Sequence, residues 1–291
     1  MTSPSRLLRL RLAMIGVGLG LLGSVAWAQA PSSSLSGKTL IVGIHNRAPW
    51  GYRDAKGDVV GFHPDVIRAA LAPLGVKLEF TVADFGALIP GLLADRLDAV
   101  ASGVAITPAR CKQVIFGEPD LAAGDGLLVP AGNPANLHSY ADIVKNPKIR
   151  LGGDRGTENV KNALAAGVPE AQMLLFPNSE ATVSALLAGR IDAITISAPT
   201  VASLIDSGAL NGIDRALPFT GYIKPDGQPA MMETAVVFRT EDAALRDAYD
   251  AQLARLKADG TLQQIMAKYH FSAAETAPPT ITTADICAGR G

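Results

Sequence analysis

Arg110 closes the run Gly103-Val104-Ala105-Ile106-Thr107-Pro108-Ala109-Arg110, just past a Thr-Pro turn that follows a strand-like stretch. A guanidinium offers a planar fork of N–H donors that fits a carboxylate through two parallel hydrogen bonds. The plain alternative is a surface arginine in the first turn of a helix. That is a poor place for a cation, because the helix dipole opposes it there. Thr157 lies in Asp154-Arg155-Gly156-Thr157-Glu158, a strand-to-helix turn where it can be the N-cap. Its hydroxyl and the free N–H groups behind it suit an anion, and a simple capping role is compatible with that. Signatures of bond-breaking chemistry are missing. There is no Gly-x-Ser-x-Gly or His-Glu-x-x-His, and Gly152-Gly153-x-x-Gly156 lacks the spacing of a nucleotide loop. His45 and His63 flank the first loop without a third ligand at metal spacing, so neither metal nor cofactor is expected.

The elements that must position these residues show themselves in a phrase the chain uses twice. Leu92-Leu93-Ala94-Asp95-Arg96-Leu97-Asp98-Ala99 returns as Leu186-Leu187-Ala188-Gly189-Arg190-Ile191-Asp192-Ala193, with six of eight residue types matching. Each copy follows an apolar run at helical spacing and precedes a strand-like run, so each reads as helix, tight turn, strand. Helix-exit grammar of this sort can also recur by coincidence. Taken as a repeat, it implies two similar α/β lobes with a cleft between them, a natural place for a ligand.

Strands are expected at 39–44, 76–82 and 98–102, with helices from Pro64 to Leu74 and over 88–94. This is a mostly parallel sheet with right-handed crossovers. Residues 126–130 read as a strand crossing to a second lobe. There the pattern resumes with strands at 149–153, 173–176 and 193–197 and helices from Glu158, over 181–188 and over 200–205. Residues 234–238 read as a further strand, whose return to the first lobe periodicity alone does not show, followed by a long amphipathic helix over 243–257 and a last one over 262–269. The tail from Ser272 has little periodicity.

Composition and the chain ends bound the rest. The 291 residues carry a net charge of -1 and 5% aromatics, with no long basic run, so nothing points to nucleic acid. Arg6, Arg9 and Arg11 precede an apolar stretch from Leu12 to Val25 and the small-x-small site Ala26-Trp27-Ala28. That is the layout of a secretory signal peptide over residues 1–28, cleaved after Ala28. A retained anchor is the alternative, though the stretch is short for a membrane span. The two cysteines, Cys111 and Cys287, both lie beyond this leader. An even count in an exported chain favours a disulfide, with two free thiols as the alternative.

With these landmarks in place, the run Gly103 to Arg110 resembles the ligand loop of periplasmic solute-binding proteins for polar amino-acid uptake, usually Ser-x-Ser-Ile-Thr-x-x-Arg. Phe85-Gly86-Ala87-Leu88-Ile89-Pro90, Arg190-x-Asp192-Ala193 and Asp259-Gly260-Thr261 agree with it. The resemblance covers the whole chain after the leader. Within that family the chain looks most like the ectoine- and hydroxyectoine-binding branch. The phrases behind this are Ile106-Thr107-Pro108-x-Arg110-Cys111-Lys112-Gln113-Val114, Leu137-His138-Ser139-Tyr140 and the tail Thr282-Thr283-Ala284-x-x-Cys287-Ala288-Gly289. That branch carries a cysteine at both positions matching Cys111 and Cys287, which strengthens the disulfide reading.

The resemblance implies a bilobal α/β fold of the type II periplasmic-binding-protein kind, with two lobes joined by two hinge strands. Lobe 1 would comprise residues 38–124 and 232–291, and lobe 2 residues 125–231. It also implies that Arg110 and Thr157 bind a ligand carboxylate from opposite lobes, and that Trp50 and Phe85 are walls of an aromatic box for a cationic ring. Three positions depart from the pattern. Ala105 stands where the branch places a third aromatic. Arg47 stands where it has an acid facing the ring, so Arg47 either points to solvent or favours a ligand with a second anionic or strongly accepting group. Ser197 stands where amino-acid binders hold the α-ammonium with an Asp, which argues against standard amino acids. The implied function is delivery of a small zwitterion or carboxylate, ectoine-like or a modified amino acid, from the periplasm to the permease of an ATP-driven importer by a monomeric, non-enzymatic protein. The alternative is an exported cyclohexadienyl-dehydratase-like enzyme on the same fold, with Glu158 as its acid.

Overall fold

The computed structural model describes residues 35–208 and 211–290. The leader expected over residues 1–28 lies outside the described residues. The first half of the fold begins with β1 (Thr39–Ile44), a β-branched apolar run. A small hairpin of β2 (Tyr52–Arg53) and β3 (Val59–Val60) follows. Helix α1 (Phe62–Leu71) buries Phe62, Val66, Ile67, Ala70 and Leu71. It starts two residues before Pro64, whose fixed φ suits the first turn of a helix. Next come β4 (Lys77–Val82), α2 (Phe85–Leu93), β5 (Ala99–Ala105), the one-turn α3 (Pro108–Cys111), β6 (Ile115–Phe116) and β7 (Leu121–Ala123).

The chain then passes into β8 (Asp125–Pro130), α4 (Tyr140–Lys145), β9 (Leu151–Asp154), α5 (Glu158–Ala165), β10 (Met173–Phe176), α6 (Ser179–Leu187), β11 (Ala193–Ser197), α7 (Ala198–Asp206) and β12 (Ile213–Arg215). Strand β13 (Met232–Phe238) returns it to the first sheet, and α8 (Ala243–Ala258), α9 (Thr261–Lys268) and α10 (Thr283–Cys287) complete it. None of these helices is long and apolar enough to cross a membrane among the described residues.

Two sheets result, in the orders β4-β1-β5-β13-β6, with β7 also on β13, and β10-β9-β11-β8-β12. Each has the same plan: three parallel strands, then one antiparallel strand that begins or ends at the crossover, β13 on β5 and β8 on β11.

The repeated phrase has a physical explanation in this plan. Asp98 accepts the Ile41 N–H at 2.8 Å, while its own N–H donates to Ile41 O at 2.8 Å. Asp192 does the same with Arg150, again at 2.8 Å in both directions. Each Asp thereby clamps its strand to the start of the neighbouring one. Leu97 and Ile191 fill the space above Gly43 and Gly152, where an added Cβ would stand 2.6 and 2.3 Å from their methyl groups. Even the Asp95/Gly189 mismatch has one cause. Both sit at left-handed turns, φ 54° and 65°, which glycine adopts freely and Asp tolerates.

Two sequence expectations change here. Phe85 does not precede its helix, as the expected span 88–94 has it. It is the first residue of α2, because Asp84 is extended and takes the N-cap position. The tail beyond Ser272 is not wholly irregular: α10 lies against α3, and Thr282 caps it by accepting the Asp285 N–H at 3.1 Å. Cys287 of α10 is joined to Cys111 of α3 by a disulfide with the Cα atoms 5.7 Å apart.

Candidate ligand-binding site

The carboxyl ends of the central strands of both sheets face one cavity, partly open to solvent, with about 400 Å³ of empty space counted out to its mouth. His45, Arg47, Trp50, Phe85, Gly103, Ala105, Arg110, Ala123, Met232 and Thr234 line it from the first half, and Thr157, Glu158, Asn159 and Ser197 from the second. All eight ligand-binding candidates read from the sequence are therefore brought together in one wall.

Arg110 is buried, not a surface residue. Thr107 caps α3 by accepting the Arg110 N–H at 3.3 Å, which aims the side chain inward. The guanidinium donates to Ala105 O at 2.6 Å on its own side and to Gly156 O at 2.7 Å across the cleft. Its remaining N–H groups stay available, and its carbon lies 5.7 Å from the Phe85 ring centroid. Burial lowers its pKa, and the nearby Glu158 charge opposes that shift.

Thr157 holds the N-cap position of α5 without capping it. Its hydroxyl donates to Asp154 O at 2.9 Å instead, so the first-turn N–H groups of α5 have no side-chain cap. Uncapped N–H groups at a helix start suit an anion. Glu158, the acid considered for an eliminating enzyme, accepts from Lys161 Nζ at 2.9 Å at the edge of the cavity.

Trp50 is buried, and its ring position is tightly set. It stacks on His63 with centroids 5.7 Å apart and meets Phe271 edge-on at 5.3 Å. Its indole N–H reaches the second half, donating to Thr200 Oγ1 at 2.9 Å and Ser197 Oγ at 3.2 Å. Ser197 is thus a partner of Trp50 as well as a cavity wall. Gly103 allows this approach: with φ at 65°, an added Cβ would stand 2.7 Å from the Trp50 ring. Beneath Trp50, His63 Nδ1 accepts the Gly103 N–H at 3.1 Å, so its Nε2–H points to Asp120 at 3.2 Å. Thr234 donates to the same carboxylate at 2.8 Å.

Arg47 faces the cavity, not solvent. It forms an ion pair with Asp154 of the second half, and both side chains are buried. Its Nε donates to Ser179 Oγ at 2.5 Å. Burial pulls its pKa down to about 10, with the Glu180 charge acting the other way. Sequence reasoning missed Asp154, Ser179 and Thr200. The one available signal for Asp154 was a charge placed directly after the buried strand Leu151-Gly152-Gly153. His45 was weighed only as a metal ligand. It lines the cavity with Nδ1 against Ser102 Oγ and its ring edge-on to Phe85 at 5.2 Å. Burial, aided by the Arg47 charge, keeps its pKa well below the ordinary histidine value, so it is a neutral wall. Among the described residues, no group of three His, Cys, Asp or Glu side chains is placed to hold a metal.

Two α/β sheets of matching plan around a central cavity define a two-lobed binding protein. Residues 40–272 match the family model of bacterial extracellular solute-binding proteins, family 3, and the chain belongs to that family. It is 34% identical over 252 residues to a probable amino-acid ABC transporter periplasmic-binding protein, y4tE, of Sinorhizobium fredii, covering 85% of this chain and 82% of that one. It is 30% identical over 224 residues to the lysine/arginine/ornithine-binding periplasmic protein of Escherichia coli, covering 76% and 83%. Among solved structures, EhuB in complex with hydroxyectoine superposes with a TM-score of 0.76 at 33% identity, covering 86% of this chain and 94% of that one. These similarities bear out the family resemblance and the type II fold.

Proposed function

We propose that this chain is exported, cut after Ala28, and delivers a compact carboxylate-bearing solute to the permease of an ABC importer. Arg110 and Thr157 grip the carboxylate from opposite sides of the cleft. Trp50 and Phe85 flank the remainder, which is a small neutral or delocalised cationic ring as in hydroxyectoine. The observation that carries this is the convergence of Arg110, with N–H groups to spare, and the uncapped start of α5 on one cavity. A ligand bridging the two favours the closed arrangement, and the permease reads that closed form. Its periplasmic, amino-acid-transporter relatives support a binding role over catalysis.

Thermal shift against compatible solutes, amino acids and small carboxylates tests this, since saturating ligand stabilises by mass action. Arg110→Ala should cost about 2–5 kcal/mol of the affinity measured by calorimetry. Undiminished affinity in that variant removes Arg110 from the site and defeats the proposal.

A further inference from the structure

We infer that Asp154 determines specificity in this cleft: by pairing with Arg47 from the opposite half, it cancels one of the cavity's two guanidinium charges and sets the site for a ligand with a single carboxylate. This rests on the binding function proposed above, because it concerns what the same cavity admits.

Arg47 and Arg110 both line the cavity, and each is 7% exposed. Both stay protonated at neutral pH. Two uncancelled guanidinium groups in one cavity would match a dianion. Among the described residues, only Arg47 makes an ion pair with an anion; Glu158 lies near Arg110 without bonding to it. Arg47 pairs with Asp154, where the side chains are 6% and 3% exposed, so water does little to screen the pair. The carboxylate is fully committed. Its Oδ2 also accepts from Ser179 Oγ at 2.9 Å, and its Oδ1 accepts from Thr182 Oγ1 at 2.5 Å. Ser179 in turn takes the Arg47 Nε–H, closing the set.

Among the described residues, Arg110 has no such ion-pair partner. Its fixed hydrogen bonds go to the neutral carbonyls of Ala105 and Gly156, and the nearby Glu158 is engaged with Lys161. Arg110 is therefore the charge left for the ligand. A second carboxylate would have to displace Asp154 from Arg47 and leave a buried anion behind, which strongly disfavours a dicarboxylate.

The test is calorimetric titration of succinate and glutarate into the wild type, Asp154→Asn and the double variant Asp154→Asn/Arg47→Ala. Asp154→Asn keeps the shape of the side chain and frees the Arg47 charge. It should bind at least one dicarboxylate tenfold more tightly than the wild type, and adding Arg47→Ala should abolish the gain. The charge-swapped Arg47→Asp/Asp154→Arg protein should reject both dicarboxylates as the wild type does. Asp154→Ser supplies the same comparison if Asp154→Asn does not fold. Equal dicarboxylate affinity in the wild type and the Asp154 variant overturns the inference, as does a gain that survives Arg47→Ala. Hydroxyectoine and the monocarboxylate panel, titrated in parallel into the wild type and Arg110→Ala, report separately on the binding function. Loss of that function leaves the succinate comparison readable.

Discussion

The indole N–H of Trp50 donates to Thr200 Oγ1 across the cleft at 2.9 Å. One side chain thus lines the cavity and ties the first half of the fold to the start of α7 in the second. A ligand that packs against Trp50 in this cavity acts on both the ring and the bonds it makes across the cleft.

The sequence has two tryptophans, Trp27 and Trp50. With the proposed cut after Ala28, Trp50 would be the single tryptophan left, and intrinsic fluorescence would then report on the cleft. Titration with a solute that raises the melting temperature should shift or quench the emission in a saturable way. Trp50→Phe keeps a ring but loses the donor, and it should weaken that solute by roughly fivefold, near 1 kcal/mol for one hydrogen bond. Emission that ignores a stabilising solute would place its binding site elsewhere.

The disulfide joins residues 176 apart and fastens α10 beneath the helix that carries Arg110. Loop-closure entropy gives an upper figure of about 5 kcal/mol for so long a loop, and measured values commonly run at 2–4 kcal/mol. Cys111→Ser/Cys287→Ser should lower stability to denaturant by that amount. It should also weaken carboxylate binding, because Arg110 precedes Cys111 in α3. Unchanged urea midpoints with and without reductant would show that α10 holds its place unaided.

Asp250 gives a pH-dependent weakness. Burial, with the adjacent Glu118 charge, raises its pKa from 3.8 to about 6, although it accepts the Glu118 N–H at 2.8 Å. A carboxyl with a folded-state value above its unfolded one holds its proton better in the fold. Its contribution therefore favours the fold at low pH and is lost as pH rises from about 4 to about 6. Asp250→Asn should stabilise the protein at pH 7.5 by about 1 kcal/mol, allowing for solvent screening, and by nearly nothing at pH 4. Urea unfolding at the two pH values checks this, and an equal effect at both would disprove the electrostatic cause.

Asp98 and Asp192 make matching clamps in separate sheets. Asp98→Ala and Asp192→Ala should each cost about 1–2 kcal/mol, the usual loss when a charged acceptor is taken from a backbone donor. The double variant should lose the sum, since the sites share no partners. Marked non-additivity in urea melts would mean that the two sheets do not respond independently.

Much of this molecule was legible in the order of its residues. The periodic apolar runs gave the parallel strands and their crossover helices, because burial on one face imposes its period locally. The repeated phrase marked equivalent turns in two sheets, down to the residue that tolerates a left-handed backbone. Arg110 and Thr157 were legible because each sits at a strand-to-helix junction, where a side chain emerges at the carboxyl end of a sheet. Phe85 falls outside the helix expected over 88–94, since an Asp N-cap before an apolar helix start looks like irregular chain. The short α10 left no periodic trace, because five residues make little more than one turn.

What sequence alone determined was therefore the family, the α/β plan and the two strand-to-helix junctions that bring Arg110 and Thr157 to the cavity. Only the tertiary structure decided what surrounds that pair. Arg47 reads as an unpaired cation along the chain and becomes a neutralised wall only because Asp154 of β9 and Ser179 and Thr182 of α6 arrive from the other half. Electrostatic and hydrogen-bond partners depend on distances of a few ångströms between segments far apart in sequence, and no local pattern encodes how two separately folded halves face each other.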